Sequence, residues 1–493
     1  MDKDLNLSLP GNPRYQPKDL KPVMGYDYLA RYFVWVELAV IDVFGKGGVI
    51  PPAVYALLTD EIRADVLSIT TTEMDTRERE VTGHDIRALV QLIQERMPEE
   101  LRRWVHVPLT SYDVIDTARA VMFKVAHREV IRPKMKRILA LFAELMTKHA
   151  DDLQIGRTHG QHATPITFGF WLTTVGRRLF DDITAADDSV SKLVGKIAGP
   201  VGAKNALVWL EIALDPPKTF GMRFLDRSVG FELHVDMAPI ATQIVPPEPL
   251  ARYLNDLLLL SAALAQFADD CRQLMRSEIG EIGEEFQEAQ VGSSTMAHKR
   301  NPVTFEGVIG AYTKNVSEYA KVLMTLTSEH QRDLTASSVM RDFPVIVVNL
   351  VTQIDALLRP GKKDKRPFLA RIFFNKERAR ERALEARELA LAEPLYLLLQ
   401  TAGQYPGDAH DLVNHGIVPR LAGGAHSTMF EAVEEVASGN TGLSAAWKGM
   451  SDKARHLFGP AEDQTDVSRE PYAGEAGQLA RQTAAKISEY VSH

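Results

Sequence analysis

The stretch Leu250–Met275 reads LARYLNDLLLLSAALAQFADDCRQLM, and its spacing decides the fold class. Leu254, Leu257, Ser261, Leu264, Ala268, Cys271 and Met275 recur in alternating steps of three and four, the period of one face of an α-helix in a coiled-coil-like seam. The same period continues downstream in Phe305, Val308, Tyr312, Val316, Tyr319, Leu323 and Leu326. After Pro344 it returns in Ile346, Leu350, Ile354 and Leu357. Upstream it marks Met135, Ile138, Phe142 and Leu145 behind Pro133. It also marks Ile86, Leu89, Val90 and Ile93 from His84 onward, with Thr82 as the cap and Pro98 as the stop. Strand signals are scarce. A rod of roughly 35 residues would be about 50 Å long, and apolar stripes on such rods imply a bundle that other subunits help to complete. The predicted fold is all-α, in three helical domains. These are an N-terminal domain over 1–117, a central long-helix bundle over 118–360, and a C-terminal domain over 361–493. The first boundary lies in Thr110–Thr117, and the second at the basic, proline-flanked RPGKKDKRP of Arg359–Pro367.

Bulk composition narrows the function classes. A chain of 493 residues exceeds what one core usually organises. Its 57 basic residues against 65 acidic ones leave a net charge of −8, which argues against a nucleic-acid-binding surface. Cys271 is the sole cysteine, so an intrachain disulfide and a thiolate metal site are both excluded and a reducing compartment is expected. The N-terminal MDKDLNLSLPGNPRYQPKDL is polar and broken by prolines. The most apolar run, Leu257–Leu264, is interrupted by Ser261 and too short to span a bilayer. These features predict a cytoplasmic protein that binds neither membrane nor nucleic acid.

Five polar segments interrupt the helical background. Gly292–Pro302 (GSSTMAHKRNP) lies between two helical stripes, and its Lys299, Arg300 and Asn301 are donors suited to a carboxylate. Gly156–Pro165 (GRTHGQHATP) sets His159 and His162 three residues apart beside Arg157 and Thr158. With no acidic third ligand close by, an acid/base or structural histidine fits better than a metal site. The TGHD of Thr82–Asp85 and the HVPLTSYDVID of His106–Asp116 carry further hydroxyl, imidazole and carboxylate groups. Glu329–Asp342 (EHQRDLTASSVMRD) gathers Arg332, Ser337, Ser338 and Arg341, the charge-assisted donors that a phosphate wants. Taken singly, the first four read before anything else as a solvated loop, structural histidines or helix caps, and Glu329–Asp342 reads equally as a helix start after a polar turn.

Taken in order, TSYDVIDTA, GRTHGQHATP and GSSTMAHKRNP resemble the fumarase/aspartase superfamily of elimination enzymes. Within it the chain is most similar to the adenylosuccinate lyase family. The matching positions are Arg14 with Tyr15, His84 with Asp85, Trp104-Val105-His106 before Thr110-Ser111, and His330, Arg332, Asp333, Ser337, Ser338 and Arg341. The sequence departs from that pattern at Gly83 (usually arginine), Ala297 (usually proline), Gln331 (often glutamate) and the IVPPEPLAR of Ile244–Arg252.

The resemblance implies a β-elimination that breaks a C–N bond and releases fumarate. Ser293 would be the base, with its alkoxide stabilised by loop amides and positive charge. Lys299 and Asn301 would hold the carboxylate that receives the developing charge. His159, oriented by Glu306, would protonate the leaving nitrogen, and His84 would assist. Thr110, Ser111 and Thr158 would bind a succinyl carboxylate, with Asp85, His106 and Gln243 as further substrate contacts. Arg14, Tyr15, Arg332, Ser337 and Arg341 would hold a nucleotide phosphate. The resemblance also implies a small-molecule nucleotide substrate, no metal or organic cofactor, and a homotetramer with shared active sites. Related alternatives are a 3-carboxy-cis,cis-muconate cycloisomerase or an argininosuccinate lyase, which need no phosphate site. An inactive helical scaffold would be expected to have lost Ser293, His159 or Lys299, and all three are present.

Overall fold

The computed structural model describes residues 4, 6–7, 16–213, 224–285, 296, 299–332, 335–424, 427–451, 454–455, 457–458 and 471–492. The chain divides into two compact units. The first comprises Met1–Ile138, Arg178–Asp269 and Val303–Arg359, and the second Leu139–Arg177, Asp270–Pro302 and Pro360–His493.

The first unit is helical, as the periodicity predicts, apart from a short parallel pair of Val194–Gly195 with Asp236–Met237. Its longest element, Glu248–Leu274, has 27 residues, about 40 Å at 1.5 Å per residue, and is shorter than the rod expected. Leu254, Leu257, Ser261, Leu264 and Ala268 are all buried on the predicted seam, whereas Met275 falls beyond the helix end. Helix Pro344–Leu358 buries Ile346, Leu350, Ile354 and Leu357 and packs on Val303–Met324.

On Val303–Met324 the packed face follows the predicted stripe at Phe305 and Val308 and then leaves it. Phe305, Val308, Ala311, Asn315 and Val322 are buried, while Val316 and Leu323 are 46% and 52% exposed. A polar layer sets this rotation. Ser261 Oγ donates to Gln353 Oε1 at 2.6 Å, and Gln353 Nε2 donates to the carbonyls of Val308 (2.8 Å) and Ser261 (3.2 Å). Asn315 Nδ2 reaches Ser261 Oγ and the Ile346 carbonyl, both at 3.3 Å. A buried amide must find partners, so Asn315 faces the core and swings the apolar Val316 and Leu323 outward.

Helix Leu29–Lys46 packs on Ser111–Ala126 and on Leu225–Leu233. Helix Asp85–Arg96 buries the four predicted apolar positions, but its cap is His84 rather than Thr82. The Thr82 hydroxyl is spent locally, donating to the His84 carbonyl at 2.9 Å and accepting its N–H at 3.3 Å.

The second unit holds most of the strand structure that the sequence pattern concealed. GRTHGQHATP lies within an antiparallel hairpin, Leu153–Thr158 with Gln161–Thr167, instead of at a helix end. Ile282–Glu284 pairs antiparallel with Ile372–Phe374, which breaks the helical run expected over Phe368–Gln400. Strands of three to seven residues are too short to raise a clear alternation. RPGKKDKRP is a closed surface turn in which Pro360 and Pro367 bridge and the Gly361 N–H meets the Arg366 carbonyl at 2.8 Å. Helices Ala392–Gln400, Met429–Gly439 and Thr441–Gly449 surround a core of Leu395, Leu399, Val433, Trp447 and Phe458. Among the described residues no helix is long and apolar enough to cross a membrane.

The polar layer gives a test. Gln353→Leu keeps the volume but leaves the Val308 carbonyl and the Ser261 hydroxyl without their partner. Unsatisfied buried groups cost about 1–3 kcal/mol each, so a fall of about 2 kcal/mol or more is expected in urea unfolding. An unchanged midpoint would mean that the layer contributes nothing.

Candidate active site

In the first unit the site is built on the start of helix Ser111–Ala126. The Thr110 N–H donates to Asp113 Oδ2 at 3.0 Å, closing the first turn. Asp113 is completely buried and meets the Lys196 ammonium, itself without exposed side-chain surface. It also accepts the main-chain N–H groups of Ala198 (2.9 Å) and Gly199 (3.2 Å). Thr117 ties the same segment from one turn further along, exchanging 3.0 Å bonds with the Lys196 carbonyl and N–H. Gly195 permits this approach, since a Cβ there would meet Thr117 Oγ1 at 2.7 Å. Thr110 and Ser111 therefore stand on a clamped turn.

His84 faces that turn. Its Nε2 lies 3.5 Å from Ser111 Oγ, and its Nδ1 accepts the Arg87 N–H at 3.4 Å. In the neutral ring this leaves the proton on Nε2, toward Ser111. The Asp85 carboxylate lies 3.2 Å from the same Nδ1, so a ring carrying its proton there would donate to Asp85 in place of accepting from Arg87. The residue before it, Gly83, has φ +60° and open space around its missing Cβ. The turn requires the left-handed conformation there, which glycine adopts without strain. His106 is held differently. It adopts φ +65°, its N–H donates to Glu37 Oε2 at 3.0 Å, and its Nδ1 lies 2.7 Å from Glu37 Oε1. The Glu37 carboxylate, buried in helix Leu29–Lys46, accepts the Nδ1 proton and leaves Nε2 for another partner.

The arginine segment joins the same neighbourhood. Ser337, in helix Thr335–Met340, shares a hydrogen bond with the phenol of Tyr112, whose pKa burial pushes up. The positive charge of Arg341 acts on Tyr112 and on Asp75, a carboxyl that burial holds above its usual range. The Gln243 N–H donates to the Gln331 carbonyl at 3.2 Å, next to Arg332. The divergent Ile244–Arg252 stretch is anchored by Asp116, which accepts the Val245 N–H at 2.9 Å and pairs with Arg119. Burial also raises the pKa of Asp116. His84, Asp85, Thr110, Ser111, Ser337 and Arg341 thus gather on one side, with Gln243 beside Arg332. Glu306 lies in the first turn of Val303–Met324 with its side chain exposed.

The second unit carries the hairpin and the approach to the signature loop. His159 (φ +56°) and Gly160 (φ +74°) form a two-residue turn with both centres left-handed, the geometry favoured by right-twisted hairpins. Thr158 and His159 are consequently exposed at the tip. Opposite Arg157 in the ladder is His162, whose pKa is lowered by burial and then by the arginine's charge. Arg157 pairs with Glu281, a carboxylate with no exposed side-chain surface that also accepts Gln154 Nε2 at 3.0 Å. Glu281 immediately precedes strand Ile282–Glu284, from which the chain runs into the signature segment. There Lys299 is exposed and its N–H meets the Met296 carbonyl at 3.0 Å, while Asn301 is half-buried. Ser293, Ala297, Arg14, Tyr15 and Asp333 lie outside the described residues.

Sequence reasoning missed the residues that hold the candidate groups in place: Glu37, Asp113 and Lys196 in the first unit and Glu281 in the second. Only Asp113 carries a local signal, the T-x-x-D spacing of a capping turn. The others act on residues tens of positions away.

A family model described as lyase matches residues 56–316. The adenylosuccinate lyase of Pyrococcus horikoshii is 32% identical over 482 residues, 97% of this chain and 96% of that protein. That of Aquifex aeolicus is 30% identical, over 81% of this chain and 86% of its own length. Two solved structures share the fold. The 3-carboxy-cis,cis-muconate lactonizing enzyme from Pseudomonas putida has a TM-score of 0.74 at 20% identity, over 97% of this chain and 98% of that one. A fumarate lyase from Mesorhizobium has a TM-score of 0.72 at 19% identity, over 96% and 98%.

The Glu281 pairing makes a prediction. Removing one partner of a buried ion pair typically costs about 3–5 kcal/mol, so Glu281→Ala is expected to lower stability on that scale and Glu281→Gln by less. Native-state hydrogen exchange at Ile282–Glu284 should accelerate most in the alanine variant. Unaltered exchange would show that Glu281 does not hold the strand.

Proposed function

The chain belongs to the adenylosuccinate lyases of the fumarase/aspartase superfamily, and we propose that it cleaves adenylosuccinate to AMP and fumarate. We extend the reading to the succinylated aminoimidazole carboxamide ribotide of purine synthesis. The observation that carries it is a full-length relationship of 32% identity to an enzyme of that name. The nearness of His84 to Ser111, and of Tyr112 to Ser337, supports it. The cycloisomerase alternative has only the shared fold behind it, at 20% identity.

In the proposed reaction Ser293 removes the proton from the carbon next to the departing nitrogen's carbon. The electron pair passes into the neighbouring carboxylate as an aci-carboxylate, held by Lys299 and Asn301. Collapse of that intermediate forms the carbon–carbon double bond and breaks the C–N bond. His159, oriented by Glu306, delivers a proton to the leaving nitrogen. Thr110, Ser111 and Thr158 bind the other succinyl carboxylate, with His84, Asp85, His106 and Gln243 around them. Arg14, Tyr15, Arg332, Ser337 and Arg341 bind the phosphate. The clamped Thr110–Ser111 turn supports this division, since it offers donors with little freedom to lose.

We further propose a cytoplasmic homotetramer in which several copies contribute to each site. The exposed apolar side chains Val316, Leu323 and Met324 on Val303–Met324 support an oligomer, because water-facing apolar clusters mark interaction surfaces.

The loss of absorbance as adenylosuccinate is consumed tests the reading. Ser293→Ala should keep substrate affinity and lose turnover by about 10²–10⁴-fold, the usual effect of deleting a general base. Arg332→Ala should weaken binding of the phosphorylated substrate by about 10–100-fold, as loss of a charged hydrogen bond does, and leave its dephosphorylated analogue unaffected. No absorbance change with either succinylated nucleotide would overturn the assignment.

A further inference from the structure

Two helices that position the first unit's site residues also line a second space. Leu29–Lys46 carries Glu37, which holds His106, and Ser111–Ala126 begins at the Thr110–Ser111 turn. Elsewhere on the same helices, Trp35, Leu38, Val121, Lys124 and Val125 line a cavity of about 760 Å³ that contains none of the site residues named above. Leu233 adds to its apolar wall. On its polar side His127 is buried, with Nε2 2.7 Å from Asp187 and Nδ1 3.2 Å from the Tyr253 hydroxyl.

The carboxylates around the cavity already have partners. Asp42 pairs with Arg63 (2.9 Å), Glu232 with Lys46 (2.6 Å), and Asp187 with His127 and with Arg132 (3.2 Å). Lys124 stands apart. It is half-buried, and the hydrogen bonds described for its ammonium go to main-chain carbonyls, Ser191 at 3.1 Å and His234 at 3.5 Å. Burial pushes its pKa down, opposed through space by Asp236. Arg128, nearby on the exposed rim, shares its charge with Glu129. A recessed ammonium among apolar walls is poorly solvated, and a bound anion would relieve that cost. Small-molecule sites commonly join apolar walls to a few placed charged groups, and here Lys124 shares the lining with that apolar wall and with the paired side chains of Asp42, Arg63, Asp187 and Glu232.

We propose that this cavity binds a small organic anion of flat apolar body, with its acidic head on Lys124 and its body against Trp35, Leu38, Val125 and Leu233. Occupancy acts on the active site through helix Ser111–Ala126, whose far end carries Thr110 and Ser111. The binding claim stands independently of the substrate assignment, whereas the effect on turnover rests on it.

The test is a fluorescence titration of the whole native protein with 8-anilinonaphthalene-1-sulfonate, an aromatic sulfonate of this class. The wild type should show one Lys124-dependent site per chain. Lys124→Gln should weaken that site about tenfold or more, the scale of a lost charged hydrogen bond. Val125→Trp, which keeps the ammonium and fills the space, should abolish it. Millimolar inorganic phosphate should not displace the dye, and displacement would overturn the requirement for an apolar body. Equal dye affinity in the wild type and Lys124→Gln would overturn the site. The dye should change wild-type turnover at least twofold and leave that of Val125→Trp unchanged, and an equal response in both would overturn the coupling.

Discussion

A carboxylate with no access to water holds the first unit's site together. Asp113 receives the Lys196 ammonium, the N–H groups of Ala198 and Gly199, and the N–H of Thr110. Burying two charges costs several kcal/mol per ion unless the pair is well matched and its remaining positions are bonded. Four donors from two stretches of chain, Thr110 and Lys196–Gly199, meet that condition. The consequence is geometric. The start of helix Ser111–Ala126, the segment around Lys196, and the hydroxyls of Thr110 and Ser111 cannot move independently.

The other polar groups depend on this frame or repeat its logic. Tyr112, next along the helix, carries Ser337, and Asp116, one turn on, anchors the chain that follows Gln243. Glu37 fixes His106 from a neighbouring helix. In the second unit Glu281 does for the hairpin what Asp113 does for the turn, pairing with Arg157 just before the strand that leads into the signature segment. Buried acids thus orient exposed chemistry. Groups such as Thr158, His159 and Lys299 face water in the single chain, and the proposed elimination needs a drier setting. The proposal of sites shared between copies answers that need.

Much of this was readable from the sequence, and the failures have physical causes. Helix Glu248–Leu274 and helix Pro344–Leu358 follow their apolar periods closely. The period misled on Val303–Met324 because hydrophobicity alone cannot weigh Asn315, which hydrogen bonding draws into the core ahead of Val316. The hairpin of GRTHGQHATP was hidden because its turn depends on two left-handed residues, and only Gly160 advertises that conformation. Among the candidate site residues, His84, Ser111, Ser337 and Arg341 were recognisable by type and order. Their supports were not, because Lys196 lies 83 positions from Asp113 and no local pattern joins them. Gly83, a departure from the family pattern, sits at a positive φ that glycine adopts without strain.

The most direct measurement is fumarate release from adenylosuccinate by the wild type and by Lys196→Met, assayed at low temperature with the fold verified by circular dichroism. The wild type should release one fumarate for each AMP formed. The variant, folded but with Asp113 deprived of its cation, should turn over at least 100-fold more slowly, the scale of a displaced set of preorganised donors. A wild type that releases no fumarate, or a folded Lys196→Met with wild-type turnover, would contradict the role given to this buried pair.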